Sequence, residues 1–333
     1  MPAPAPSADP GGAASASASA SAPVAVLGEC VADAFVRPPA TDAGTPAIGL
    51  DVLPGGGPAN TAVALARLAT PTRFLGRISG DVFGRLFRDH LAESGVDLSR
   101  TVGAHEPSTL AVADLDDEGR ADYSFHAENT ADFQWTPQEL AAAADGPLSC
   151  LHTGSLALVR PPGGPAIEEL LAGVRQRATV SVDPNVRPLL VEPAAYRGAL
   201  PRWCAAADIL RLSDDDLAHL VPEGTSLEEA AGTFHEHGAR LVVVTLGADG
   251  VFASLDGEHL RVPAPPVTVV DSVGAGDSFM AGFLHSLHEA GVLGGRLDAL
   301  GPEHLAAALH FGIRVAAAVC AVRGANPPWA GEL

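Results

Sequence analysis

The sequence predicts an α/β protein: a doubly wound, mostly parallel sheet with helices on both faces and a small β-sheet attached. Three observations carry this. Short apolar runs alternate with helix-length segments along most of the chain, the pattern of strand–helix–strand units. Several of the runs are continuously apolar, as in VAVL at 24–27 and LVVV at 241–244, which fits strands buried on both faces. Two stretches, 31–53 and 108–126, break the alternation and read as extended pieces with turns, enough for a small separate sheet.

Taken in order, residues 2–22 are Ala, Ser, Pro and Gly with one acid, after an initial Met. They lack a basic start and a leucine-rich centre, so they read as a disordered tail rather than a signal peptide. The folded unit is expected over 23–330, beginning with the strand at 24–28. Turns are expected at 38–39 and 42–44, and GGGPAN at 55–60 opens a helix to about 69. RFLGRI at 73–78 reads as a strand and 83–94 as a helix. Segments 108–115 and 120–126 flank the turn DDEG at 116–119 and form a hairpin.

The second half is more regular. Strands are expected at 148–154, 180–183, 208–212 and 241–247, with helices at 164–177, 193–206 and 226–238 and a short acidic helix after 212. Two short strands follow near 250–255 and 258–262, then a strand over 267–271 that runs through a glycine turn into a helix at 277–290. A last helix fills 302–322, with Leu305, Leu309, Ile313, Ala316 and Cys320 on one face.

Composition bounds the chemistry. The chain has 333 residues, 47% of them apolar, and a net charge of −20. Phosphate-backbone and anionic-membrane partners need a basic face, so neither nucleic acid nor a membrane surface is expected. The most apolar helical segment carries His310 and Arg314, which argues against a membrane span. There is no lysine; all 20 bases are arginine. A P-loop lysine, a Schiff base and a protein-kinase ATP lysine are thereby excluded. Any phosphate must be held by backbone amides, arginine and metal. The four cysteines, Cys30, Cys150, Cys204 and Cys320, are far apart, so a reduced cytoplasmic setting is expected rather than a disulfide framework or zinc site. His235 and His237 form an H-x-H that reads as a solvated helix face.

The strongest local signal is DSVGAGDSF at 271–279, a strand leading through a glycine turn into a helix. Ligands of α/β sheets bind at the carboxyl ends of strands. The amides of Gly274, Ala275, Gly276 and Asp277 would converge at the positive end of the helix and form an anion hole. Asp277 beside that hole fits a general base that takes a proton from an attacking hydroxyl. On the residues alone it fits equally an ordinary N-cap. A dinucleotide fingerprint does not fit, because the next glycine is Gly282 and the first strand lacks the pattern.

Set beside other segments, this stretch resembles the C-terminal signature of the ribokinase-like, or PfkB, family of sugar kinases. GGGPAN at 55–60 resembles the family's N-terminal glycine motif, GECVAD at 28–33 its opening segment, and TLGADG at 245–250 its nucleotide-phosphate segment. DPNVR at 183–187 and LSDDD at 212–216 are similar to segments of the fructokinase branch, and RGAN at 323–326 resembles the family's end beside the adenine. These matches occur in family order from about 24 to 327.

The resemblance implies a ribokinase-like fold and an ATP-dependent sugar kinase, with fructose as the expected sugar. 2-Keto-3-deoxygluconate, ribose and nucleosides remain as alternatives, and a non-catalytic sugar or nucleotide sensor of the same fold is the reading from another class. It implies Asp277, Gly274, Ala275 and Gly276 as catalytic residues, and Asp33, Gly56, Gly57, Asn60 and Asn129 as sugar-binding residues together with Asp277. It implies Ser213, Thr245, Gly247, Gly250, Gly276 and Asn326 around ATP. Asp216 would act on magnesium through water. Ser213 and Asp216 depart from the ribokinase version, which has Asn and Glu there. Asp271 and Val273 match positions that hold a monovalent cation, K+ among them, with carbonyls of Val319, Val322 and Gly324 completing the shell. Related kinases often carry an Arg two places after Phe125; here it is Ala127, which weakens an acidic sugar as substrate. The small sheet would serve as a lid over the site, and its edges could pair two subunits into a homodimer.

Overall fold

The computed structural model describes residues 22–37, 47–115 and 121–333. The tail expected over 1–22, apart from Ala22, and the turns at 38–39, 42–44 and 116–119 lie outside these residues. The strands described are β1 (Val24–Leu27), β2 (Val31–Arg37), β3 (Gly49–Gly55), β4 (Thr72–Leu75), β5 (Arg77–Ser79), β6 (Val102–Ala104), β7 (Thr109–Leu115), β8 (Ala121–His126), β9 (Cys150–Gly154), β10 (Thr179–Asp183), β11 (Ile209–Ser213), β12 (Leu241–Thr245), β13 (Val251–Leu255) and β14 (Glu258–Val262). The helices are α1 (Gly57–Arg67), α2 (Val82–Glu93), α3 (Pro137–Ala143), α4 (Ser155–Val159), α5 (Gly163–Val174), α6 (Pro193–Ala206), α7 (Asp214–Leu220), α8 (Leu227–Glu236), α9 (Ala275–Glu289) and α10 (Pro302–Cys320).

The main sheet has eight strands in the order β14-β13-β12-β11-β10-β9-β1-β4. It is parallel from β4 to β12 and antiparallel through β13 and β14. Period-2 alternation sends successive side chains to opposite faces. Val24 and Val26 pack with Phe279, Phe283, Leu305 and Leu309 of α9 and α10. Ala25 and Leu27 pack with Ile167, Trp203 and Phe234 of α5, α6 and α8. Strands buried on both faces therefore read as largely apolar runs in the sequence. A second sheet, β3-β2-β7-β8, stands apart, and β5 pairs with β6.

Three expectations are corrected. The run 73–78 is two strands in different sheets, broken at Gly76, where a Cβ would meet the ring of Phe74. The strand expected at 267–271 does not join the sheet; the amides of Val270 and Asp271 instead donate to the Cys320 carbonyl at 2.8 and 3.3 Å. Pro263, Pro265 and Pro266 precede it and cannot donate to a ladder. His235 is not a solvated side chain: its Nδ1 meets the Ala239 carbonyl at 2.8 Å and its Nε2 meets Ser254 Oγ at 2.7 Å, which ties α8 to β13.

The 19-residue α10 is long and apolar enough, by length and composition, to cross a membrane. It packs along α9, and Leu305, Leu309 and Val315 are buried. All four cysteines are free thiols.

Candidate active site

The chain winds outward from β1 to β4 on one side and from β9 to β12 on the other, which leaves a crevice at the carboxyl ends of the strands. Asp183 ends β10, Ser213 ends β11 and Thr245 ends β12. The N-terminus of α9 closes onto the same edge, with Gly274 at φ 75° as its N-cap. Only a residue without a Cβ adopts that turn cheaply.

One half of the crevice gathers polar side chains. Asn60, on the first turn of α1, donates from Nδ2 to Asp277 Oδ2 at 2.9 Å. Gly57 lies against this pair: a Cβ there would stand 2.8 Å from Asn185 Nδ2 and 3.2 Å from Asp277 Oδ1. Gly56 makes the preceding turn at φ 101°. Asp33 sits on β2 beside Gly55, where any Cβ would collide with its Oδ2. A small cavity here is lined by Gly57, His152, Asp183, Asn185 and Asp277.

Asp33 and Asp277 share an electrostatic condition. Burial pushes the Asp277 carboxyl up to about 6; the charge of Asp183 adds to this, while the Asn60 hydrogen bond, Arg187 and Arg211 oppose it. Burial likewise pushes Asp33 up to about 6, and there Arg187 opposes and Asp277 adds. Asp277 accepts one side-chain hydrogen bond and lines the small cavity, so it has acceptor capacity left for a hydroxyl there.

The other half is a cavity of about 640 Å³ lined by Thr245, Gly247, Gly250, Val267, Gly276, Phe279 and Cys320, among others. Its walls are mostly apolar, and Arg211 and the α9 N-terminus stand at its polar end. The amide of Ala275 donates to the Ser272 carbonyl at 3.2 Å. That occupies one of the four donors expected for the anion hole.

The remaining expected residues fall as follows. Asp216 is buried and accepts from Val186 N at 2.6 Å, Ser213 N at 2.8 Å and Ser213 Oγ at 2.7 Å. It forms a reciprocal capping box with Ser213 at the start of α7. Three of its roughly four acceptor positions are taken, so it fits a water-mediated role toward a metal better than direct ligation. Asp271 accepts from Val273 N at 3.0 Å and Gly324 N at 2.9 Å, and these bonds hold its carboxyl below the usual range. An ionised carboxylate can serve a monovalent cation; of the carbonyls expected with it, those of Val319 and Gly324 accept from Val322 N at 3.1 Å and Asn326 N at 2.8 Å. Asn326 does not line the large cavity; its Oδ1 accepts from Arg67 Nη1 at 2.7 Å. Arg67 also donates to the Pro327 carbonyl and stacks over Trp329 at 5.3 Å, while Ala325 packs against Gly274. Asn129 is exposed at φ 54° and makes no hydrogen bond to Asp33, Asn60 or Asp277 among the described residues. Its neighbour Glu128 is taken by Arg160 at 2.5 Å.

The structure adds Asp183, Asn185, Arg187 and Arg211 to the site. The first three lie in DPNVR, visible as a motif without individual roles. Arg211 carried a signal of its own: it is a charged residue inside the apolar run of a buried strand.

The chain was compared with known proteins. A model described as the pfkB family carbohydrate kinase matches residues 21–330. The chain is 38% identical over 234 residues to a fructokinase of Rhizobium leguminosarum bv. trifolii, covering 70% of this chain and 71% of that one. It is 37% identical over 254 residues to a fructokinase of Klebsiella pneumoniae, covering 75% and 81%. Among solved structures, fructokinase from Vibrio cholerae O395 in fructose-, ADP- and calcium-bound form superposes with a TM-score of 0.76 at 28% identity, over 92% of this chain and 95% of that one. Fructokinase from Xylella fastidiosa with bound ATP gives a TM-score of 0.77 at 26% identity, over 91% and 93%. The chain belongs to the pfkB family of carbohydrate kinases.

Proposed function

We propose that this chain transfers the γ-phosphoryl group of MgATP to a primary hydroxyl of fructose. The observation that carries it is the place of Asp277. It lines the small polar cavity on one side, and its neighbour Gly276 lines the large apolar cavity on the other. A sugar hydroxyl in the first and a triphosphate end in the second would meet across this carboxylate.

In this reading Asp33, Gly56, Gly57 and Asn60 hold the sugar, with Asn129 approaching from the small sheet. Asp277 accepts the hydroxyl proton as the oxygen attacks. The amides of Gly274 and Gly276, with Ala275 between them, stabilise charge on the moving phosphoryl group, so positioning and electrostatics carry the rate. Thr245, Gly247 and Gly250 flank the phosphates, and the apolar wall from Val267 to Cys320 takes the base. Magnesium, when bound with the nucleotide, neutralises phosphate charge; Ser213 and Asp216 would hold its water shell. Asp271 and the Val273 carbonyl would hold a monovalent cation near the anion hole. Fructose is favoured by the relatives named fructokinase and by solved structures of that name with fructose bound. The four free thiols suit a cytoplasmic setting.

The small sheet acts as the lid of the 23–330 unit and excludes water during transfer. Asp33 shares a face of it with Phe35, Leu53 and Tyr123, which are 43%, 50% and 48% exposed. These exposed apolar side chains, on a face that also carries the Arg37–Asp51 ion pair, support a homodimer that pairs two lids; light scattering that finds only monomer removes this part of the reading.

The test of the function is ADP release from MgATP in potassium buffer with fructose, and then with a panel of ketoses, aldoses, ketodeoxy acids and nucleosides. Fructose-dependent turnover that Asp277→Asn abolishes is the expected result. Turnover with a different sugar replaces the substrate, and binding of ATP without turnover on any sugar overturns the kinase.

A further inference from the structure

Arg211 is buried in the middle of β11, between Leu210 and Leu212, where an apolar residue would fill the position without desolvating a charge. Its Nη1 donates to Asp183 Oδ2 at 2.7 Å and its Nη2 to Thr245 Oγ1 at 2.7 Å. Its Nε is buried and has no hydrogen-bond partner. The guanidinium also lines the large cavity and presses on the glycine turn: a Cβ on Gly276 would stand 2.8 Å from Nη2 and 3.0 Å from Nη1. Gly276 is therefore a glycine so that this cation can approach the start of α9. A helix N-terminus is itself positive. Asp183 offsets part of the charge through its ion pair with Nη1, and Asp277 also acts on the guanidinium, yet the cation is held against a positive helix terminus with its Nε unmatched.

We propose that Arg211 is a positioning residue of the phosphoryl-transfer site: its guanidinium, clamped by Asp183 and Thr245 against the Gly276 backbone, supplies a fixed positive charge beneath the loop that receives the transferring phosphoryl group. The inference rests on the kinase reading above and assigns the charge that a lysine-free chain must find elsewhere. It also bears on the base. The charged groups that act on Asp277 are Asp183 and Asp33 on one side and Arg187 and Arg211 on the other. Removing Arg211 takes away one of the two cations that favour the ionised carboxylate. The acid limb of the rate profile then moves to higher pH.

The test compares Arg211→Gln with Arg211→Lys. Glutamine removes the charge and keeps a polar amide in the strand, lysine keeps the charge, and a thermal melt of each variant checks that it folds. Two readouts are taken: steady-state kinetics against pH, and the affinity for MgADP with tetrafluoroaluminate, a mimic of a transferring phosphoryl group. The expected result for Arg211→Gln is a kcat lower by about 100-fold, a sugar KM changed little, an acid limb at higher pH and weaker binding of the mimic. Arg211→Lys is expected to restore the limb and most of the binding. A glutamine variant with the wild-type limb and wild-type affinity for the mimic overturns the proposal, as does a lysine variant no better than glutamine. If the wild-type protein phosphorylates no sugar, the kinase reading falls, and the mimic affinities of the variants still decide the role of Arg211.

Discussion

The acids at the two ends of the crevice are built in opposite ways. At the sugar end, Asp277 has one side-chain donor, Asn60, and a carboxyl pushed up to about 6. Toward the nucleotide end, Asp216 is buried and accepts three hydrogen bonds. Asp271 accepts two backbone amides and is held in its ionised form. The difference teaches how to sort carboxylates in such a site. An acid with many fixed donors builds the frame, while an acid short of donors is kept ready for a proton or a hydroxyl.

The largest effect expected from this contrast is at Asp277. Asp277→Asn should lower kcat by about 10³-fold, within the range for loss of a general base. It should not destabilise the fold at pH 8. The sign follows from linkage: the folded-state pKa of Asp277 lies above that of a free aspartate, so stability is lost as pH rises through the window from about 4 to 6. The amide escapes that loss, and thermal melting at pH 8 should be no lower than wild type. A melt that drops while activity persists would break the comparison.

Asp216→Ala should show the reverse emphasis. Removing a buried acceptor of three bonds and one half of a capping box should cost about 2 kcal/mol of stability, read by urea denaturation. The smallest effect at pH 8 is at Asn60. Its hydrogen bond holds the Asp277 carboxyl down, so Asn60→Ala should move the acid limb of kcat/KM upward from about 6. The loss of rate should be severe at pH 6 and only a few-fold at pH 8. A limb that stays in place would assign that titration to another group.

Much of this site was legible in the sequence because its parts are turns. Glycine turns at 55–57 and 274–276, and acids next to them, have few structural alternatives once they occur together in order. Partners supplied by distant strands were harder to read. Nothing local tells that Asn185 faces Gly57, or that Arg211 backs Gly276; both contacts come from strand order. The expected strand at 267–271 failed for a related reason. Its composition is that of a strand, but β13 and β14 already occupy that side of the sheet, and the prolines before it remove donors. The short helices α3 and α4, of seven and five residues, are too brief to show apolar periodicity, although TPQE at 136–139 carries a capping-box signature.

The clasp that Arg67 makes on the C-terminal segment gives the protein a built-in optical reporter. Of the three tryptophans, Trp135 and Trp203 are buried, whereas Trp329 is 45% exposed beneath the Arg67 guanidinium. Emission that a soluble quencher can reach therefore comes from one indole. That indole lies four residues from Ala325, whose methyl group rests on Gly274. A ligand that tightens the glycine turn is expected to change quenching of that indole in unlabelled protein, with no coupling enzyme required.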